Sequence, residues 1–206
     1  AAQMATVPYP MATEADLQET ARQVEELDRR CLALKADVRD AGQMAKVVDR
    51  ALAEFGQIDI LCANAGICTY HTVDGMSDQV WNETIDVNLT GVFNSVRAVL
   101  PHMISRKSGR IVATASMAGR TGMQNIAHYA ASKWGVIGLV KSVALEVAEH
   151  GITVNAVCPT SVDTPMVQNE ASYRLVRPDL ENPTREDMAV ATQTLNALPI
   201  PWVDPQ

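Results

Sequence analysis

Short apolar runs alternate along this chain with longer runs whose apolar residues recur every three or four positions, and that alternation leaves few architectures open. Cys31–Val38, Ile58–Ala63, Arg110–Ala115 and Ile152–Val157 read as strands. Residues 41–55 carry Met44, Val47, Val48, Ala51, Leu52 and Phe55 at helical spacing, and Gly56 ends that run. Ser77 opens a helix that reaches about Arg106 and bends near Asn88 to Gly91, and Ala127–His150 is a further long helix. Ahead of the first strand, Thr13 with Asp16 three residues on starts a helix running to about Arg30. Pro8 and Pro10 keep the residues up to Met11 irregular. After Thr160 the chain is loop-rich, with a helix from Thr184 to about Asn196, and Pro199, Pro201 and Pro205 make the end irregular. Strands joined through helices specify an α/β protein built on a parallel sheet.

The 206 residues suit one domain, and 47% hydrophobic against 20% charged residues leaves enough apolar material for a core. A net charge of -7 argues against nucleic acid or an anionic membrane as partner, since both need a basic face. No run approaches the roughly 18 apolar residues of a membrane span, and no signal segment is evident. Cys31, Cys62, Cys68 and Cys158 lack C-x-x-C or Cys/His spacing, which argues against a metal site. Cys31, Cys62 and Cys158 fall in apolar runs and read as reduced, buried thiols of a cytoplasmic protein.

Chemistry concentrates in Tyr129-Ala130-Ala131-Ser132-Lys133. Residues i and i+4 share a helix face, and an ammonium held beside a phenol favours the phenolate. That would make Tyr129 a general acid/base for a substrate oxygen. Ser116 lies at the carboxyl end of the strand Ile111–Ala115, where open α/β sheets bind ligands. Asn64-Ala65-Gly66 also follows a strand, and its small residues let the backbone approach a nucleotide. Asp37, at another strand end, offers a carboxylate to an adenine amino group, and Asn88 sits at the helix bend. Each has a plainer reading taken alone: a chance helical pair, a turn serine, a strand-to-loop turn, a helix cap, a locally bonded amide.

Taken together, Asp37-Val38, Ala63-Asn64-Ala65-Gly66, Asn88, Ser116, Tyr129/Lys133 and Pro159 through Thr164 resemble, in order and approximate spacing, the short-chain dehydrogenase/reductase family. The resemblance implies a doubly wound Rossmann fold in a single domain and an NAD(P)-dependent alcohol/carbonyl oxidoreductase. It implies Tyr129 as general acid/base, Lys133 lowering its pKa and holding the nicotinamide ribose, Ser116 orienting the substrate oxygen and Asn88 supporting a proton relay. It places Asp37 and Val38 at adenine, Asn64, Ala65 and Gly66 along the cofactor, and Pro159, Val162 and Thr164 over its nicotinamide end. The region 160–198, and within it about Met166 to Leu195, resembles the variable substrate lid. Pro159-Thr160, Ala63-Asn64-Ala65-Gly66, the stretch from Val7 to Arg30 and the run from Arg177 to Pro183 resemble the carveol-dehydrogenase-like, mycofactocin-coupled subgroup. That subgroup implies a secondary alcohol, terpenoids among the candidates, and a tightly held NAD.

Two family features are missing. The Thr-Gly-x-x-x-Gly-x-Gly phosphate loop does not occur, Gly42 being the first glycine, and the last strand is not found. The sequence is therefore expected to be a partial view of a longer chain, with an open strand edge and an uncovered sheet face. The same gap leaves NAD against NADP undecided, with NAD favoured by the subgroup. Val136, Ile137, Leu139, Val140, Val143, Leu145 and Val147 make the helix after Tyr129 apolar over more than one stripe. It is either a core helix or, with the helix near Val92 to Met103, a subunit contact, and the resemblance implies a dimer or tetramer. The alternative to an enzyme is a non-catalytic nucleotide-binding Rossmann scaffold; a related epimerase or dehydratase would use the same tyrosine and lysine.

Overall fold

The computed structural model describes residues 3–193 and 198–205. Its sheet has three parallel strands, β1 (Ile60–Ala63), β2 (Gly109–Thr114) and β3 (Ile152–Val157), in spatial order β1-β2-β3. Ile60 sits opposite Arg110 and Gly109 opposite Ile152, so the carboxyl ends of all three strands point the same way. Helices α1 (Glu14–Glu25), α2 (Ala41–Phe55), α3 (Asp78–Ile85), α4 (Gly91–Arg106), α5 (Ala127–Glu146), α6 (Glu170–Val176) and α7 (Arg185–Thr192) complete it.

Local chemistry explains most boundaries. Thr13 and Asp16 form the expected reciprocal cap of α1. Asp40 caps α2 through Gly42 and Gln43, and Gly56 closes it in the left-handed region at φ 79°. α1 stops at Glu25 rather than near Arg30, because the chain turns at Asp28, whose φ is 55°. The bend near Asn88 is a π-helical turn, Asp86–Thr90, joining α3 to α4. Gly91 at its end is required by packing, since a Cβ there would lie 2.6 Å from Val38 Cγ2. The helix from Thr184 ends at Thr192, and the part expected over residues 194–196 lies outside the described residues.

The expected strand Cys31–Val38 is not formed. Among the described residues the segment has no ladder partner: β1 pairs with β2, and its other edge is open. Its apolar residues instead line a shallow groove with Leu17, Ala21, Val47 and Phe55. The open edge leaves Ile60 63% exposed and Cys62 exposed as well. The cysteine expectation needs the same correction: Cys68 is the buried one, while Cys31 and Cys158 are half-buried.

One sheet face is closed and the other is not. Ile111, Ala113, Ile152 and Val154 are buried, while Arg110, Thr153 and Asn155 stay exposed. The closed face packs against Val92, Val96, Val99 and Met103 of α4 and Val136, Val140 and Val143 of α5. This core anchors both helices that flank the carboxyl end of β2. Among the described residues no helix is long and apolar enough to cross a membrane, and no cluster of potential metal ligands occurs.

Candidate active site

The carboxyl end of β2 gathers most of the residues singled out in the sequence. Ala115 donates its N–H to Val157 O (2.8 Å), which carries the β2–β3 pairing up to Ser116. Ser116 is extended, and its hydroxyl accepts from Ala118 N (3.1 Å), capping the 3₁₀ turn Met117–Gly119. That bond uses a lone pair, and the O–H is directed to the Tyr129 phenol oxygen. Thr114, just before, ties two further elements to this end. Its hydroxyl donates to Asn64 Oδ1 (2.8 Å) and its carbonyl accepts from Lys133 Nζ (2.7 Å).

Lys133 projects from the second turn of α5 and is 3% exposed. Burial pushes its pKa down to about 8. Its ammonium lies 5.5 Å from the centroid of the Tyr129 ring. The lowering of the Tyr129 pKa expected from Lys133 is not found. Burial pushes the phenol up to about 12, the nearby Cys68 and Tyr70 add to the rise, and a hydrogen bond with Ser116 opposes it. Desolvation of the phenolate outweighs an ammonium committed to a carbonyl and placed beside the ring.

Gly66 and Asn88 close the other side. A Cβ on Gly66 would lie 3.4 Å from Asn88 Oδ1 and 3.5 Å from Lys133 Nζ, so any larger side chain would press on both. Asn88 is 0% exposed. Its Oδ1 accepts from Ile67 N (2.8 Å), and its Nδ2 donates to Ile67 O (2.9 Å) and to Ser132 Oγ (3.2 Å). The π-helical turn that carries Asn88 thus clasps the loop after β1 to α5.

Of the remaining positions, Asn64 and Pro159 adjoin this centre, while Asp37 and Val38 belong to the segment before α2. Asp37 is held by Arg39, which donates from Nε and Nη2 to its carboxylate and keeps it below the usual carboxylate range. Val38 packs against Gly91, and its carbonyl accepts from Asn94. Asn64 and Ala65 are exposed at the mouth of the β1 turn. Pro159 O accepts from Met117 N (3.0 Å), so that loop abuts the Ser116 turn. Val162 pairs with Val203, and Thr164 donates to Val162 O (3.3 Å).

Sequence reasoning missed four residues here. Tyr9 is buried, which raises its phenol pKa, and its hydroxyl accepts from Cys68 N (3.0 Å), which opposes that rise. Cys68 and Tyr70 pack with Tyr129. His128 shares a 2.6 Å hydrogen bond with Thr69 Oγ1, while its Nδ1 has no partner. Tyr9 has no spacing signal linking it to Cys68. His128 is next to Tyr129 and could have been suspected on adjacency.

Burial, and then the proximity of His71, drop the His128 pKa from 6.5 to about 4. The unfolded chain takes up that proton at the ordinary value while the folded chain resists it. The contribution is therefore present above pH 6.5 and is lost as pH falls from 6.5 to about 4. Urea unfolding across this range should show a stability loss of order 1–3 kcal/mol, and His128→Gln should flatten that part of the slope. An unchanged slope in the variant would assign the acid lability to other groups.

Known proteins share this fold. The short chain dehydrogenase family model covers residues 1–174. The (-)-trans-carveol dehydrogenase of Rhodococcus erythropolis is 48% identical over 198 residues, 95% of this chain and 72% of that one. Carveol dehydrogenase from Mycobacterium avium, solved in complex with NAD, superposes with a TM-score of 0.95 at 45% identity, over 98% of this chain and 74% of that one. A short chain dehydrogenase from Mycobacterium paratuberculosis bound to NAD gives a TM-score of 0.86 at 34% identity, over 97% and 72%.

Proposed function

The chain belongs to the short-chain dehydrogenase family and has its Rossmann-like parallel sheet, and from that premise we propose that it interconverts a secondary alcohol and its ketone with NAD, using Tyr129, Lys133 and Ser116. The observation that carries this reading is the convergence of Ser116, Tyr129 and the buried Lys133 at the carboxyl end of β2, with Gly66 against the ammonium. The solved relatives that hold NAD support the choice of nucleotide.

The residues fit that cofactor. Gly66 keeps the space beside Lys133 Nζ clear, and two of the three ammonium donors remain after the bond to Thr114 O. Lys133 would hold ribose hydroxyls, with Asn64 and Ala65 along the same face and Pro159, Val162 and Thr164 toward the nicotinamide. Asp37 and Val38 would meet adenine, Asp37 by exchanging or sharing its Arg39 contact. NAD supplies the acceptor for a hydride from the carbinol carbon.

The protein's part is proton movement and placement. Ser116 would turn its O–H from the Tyr129 phenol to the substrate oxygen and so set that oxygen against the phenol. Below about pH 8, where Lys133 keeps its charge, its ammonium beside the ring favours a phenolate at Tyr129 over the same pocket without the cation. Asn88 holds the loop after β1, and thereby Gly66, against the lysine. The side chains packed with Tyr129 are Cys68, Ala118, Ile126, Tyr70 and Met166, apolar or neutral. They suit an uncharged cyclic alcohol such as the carveol of the named relatives. The region 160–198 acts as the lid, and the whole chain forms a single oxidoreductase domain.

The test follows reduced-nicotinamide absorbance with a panel of cyclic secondary alcohols, beside an artificial electron acceptor. Turnover with free NAD supports an ordinary dehydrogenase. Turnover only with the artificial acceptor supports the mycofactocin-type behaviour, in which NAD stays bound. Bound nucleotide with no turnover in either format leaves a binding scaffold.

The same reading makes the protein a cytoplasmic homo-oligomer. Phe93, Leu100 and Ile104 of α4 form an apolar groove with Leu139 and Val143 of α5, and Leu145 beside it is 82% exposed. A second copy of this face would cover it. Light scattering should give a mass of two or four chains; a single-chain mass would refute the assembly.

A further inference from the structure

Tyr70 has a place that the proposed chemistry does not use. Its ring packs with Cys68, Ala118, Ile126 and Tyr129 at the reacting centre. Its hydroxyl, which also lies in hydrogen-bonding reach of Cys68, donates to the Met166 carbonyl at 3.3 Å. Asn169, which caps α6, donates to the same carbonyl at 3.0 Å, and both Asn169 and the buried Ser172 hydrogen-bond to the Tyr70 phenol. One phenol therefore joins the wall behind Tyr129 to the first turn of α6.

Met166 makes that junction matter. Its side chain packs against the Cys68, Ala118 and Ile126 cluster, which Tyr70 and Tyr129 also border, on one side and against Val7, Tyr9, Ile67 and Val87 on the other. It is the point where the segment 164–176 rests on the candidate centre. Among the described residues, the other hydrogen bonds of that segment stay within it or run to Val162, to Met188 and to Arg177. The Tyr70 hydroxyl is thus the polar tie between this segment and the loop that follows β1. An apolar contact at Met166 resists separation without fixing a position. A hydrogen bond to its backbone fixes where the segment sits.

We propose that Tyr70 is a positioning residue that latches the 164–176 segment over the Ser116–Tyr129 centre and so sets how an alcohol enters and is retained. The proposal rests on the reading of Tyr129 as the reacting group. It gives Tyr70 no part in proton transfer. Loss of the hydroxyl should weaken retention of substrate and leave the chemical step alone.

The test compares Tyr70→Phe with Tyr173→Phe in the full protein. Tyr173 donates its hydroxyl to Gln168 inside the segment, so its removal leaves the latch intact. Trypsin cleavage after Arg174, an exposed residue of α6, reports opening without any turnover. Tyr70→Phe should speed that cleavage about tenfold and raise KM for the alcohol about tenfold, with a smaller change in kcat than in KM. Tyr173→Phe should change neither by more than about twofold. Parent-like cleavage in Tyr70→Phe overturns the latch. So does equal acceleration in both variants, or loss of cooperative melting in Tyr70→Phe, which would make the residue part of the core. If the parent turns over no alcohol, the functional reading fails, and the cleavage comparison still decides the latch.

Discussion

Tyr129→Phe lowers kcat by about 10²–10⁴-fold, the span that a positioned general acid/base contributes. The variant keeps the ring and loses the hydroxyl, so its packing against Cys68, Ala118 and Ile126 survives. Lys133 keeps its bond to the Thr114 carbonyl, and NAD affinity should stay within about twofold of the parent. Steady-state kinetics with titration of NAD by fluorescence checks both numbers. A kcat reduced less than about tenfold would remove Tyr129 from proton transfer. The pH profile should carry the same signature. Burial raises the phenol toward 12 and drops the lysine toward 8, so alcohol oxidation should rise with pH as the phenol ionises, and that rise should vanish in the variant.

Asn88→Ala should be the most destabilising single change at the site. It strips both backbone groups of Ile67 of their partner in a place without solvent and removes a donor from Ser132. A buried polar group left without a partner costs about 1–3 kcal/mol, so two give about 2–6 kcal/mol. Urea unfolding should show that loss, with the midpoint lowered and the slope unchanged. Activity of the folded fraction should fall too, since Gly66 loses the hold that sets it against Lys133. A loss below about 1 kcal/mol would mean that water or relaxation satisfies Ile67, and the clasp would lose its importance.

The sequence was most legible where chemistry is local. Thr13 and Gly56 mark helix ends through a side chain or backbone freedom of their own, and they sit where expected. The bend at Asn88 was readable for the same reason, although its π-helical form and its grip on Ile67 were not. Strand formation depends on a partner elsewhere in the chain, and periodicity in Cys31–Val38 carries no information about one. Hence the run is extended but unpaired, and Cys62, on the open edge of β1, is exposed instead of buried. Asp37 was read as a free carboxylate when Arg39, two residues on, takes it. Tyr9 and Cys68 stand 59 residues apart, and only folding brings that hydroxyl to that amide. The Tyr129 pKa required the burial of its ring to be known, because desolvation there exceeds the influence of Lys133 that spacing alone suggested.

The central claim is hydride transfer between an alcohol carbon and NAD at Tyr129, and isotope transfer tests it most directly. The full protein would be incubated with NAD and a cyclic secondary alcohol bearing deuterium on its carbinol carbon, and the nucleotide and organic product weighed by mass spectrometry. The account predicts one deuterium in the reduced nicotinamide for each ketone formed, and no transfer in Tyr129→Phe. Deuterium released to water, or an epimerised or dehydrated product with the nucleotide unlabelled, would contradict it.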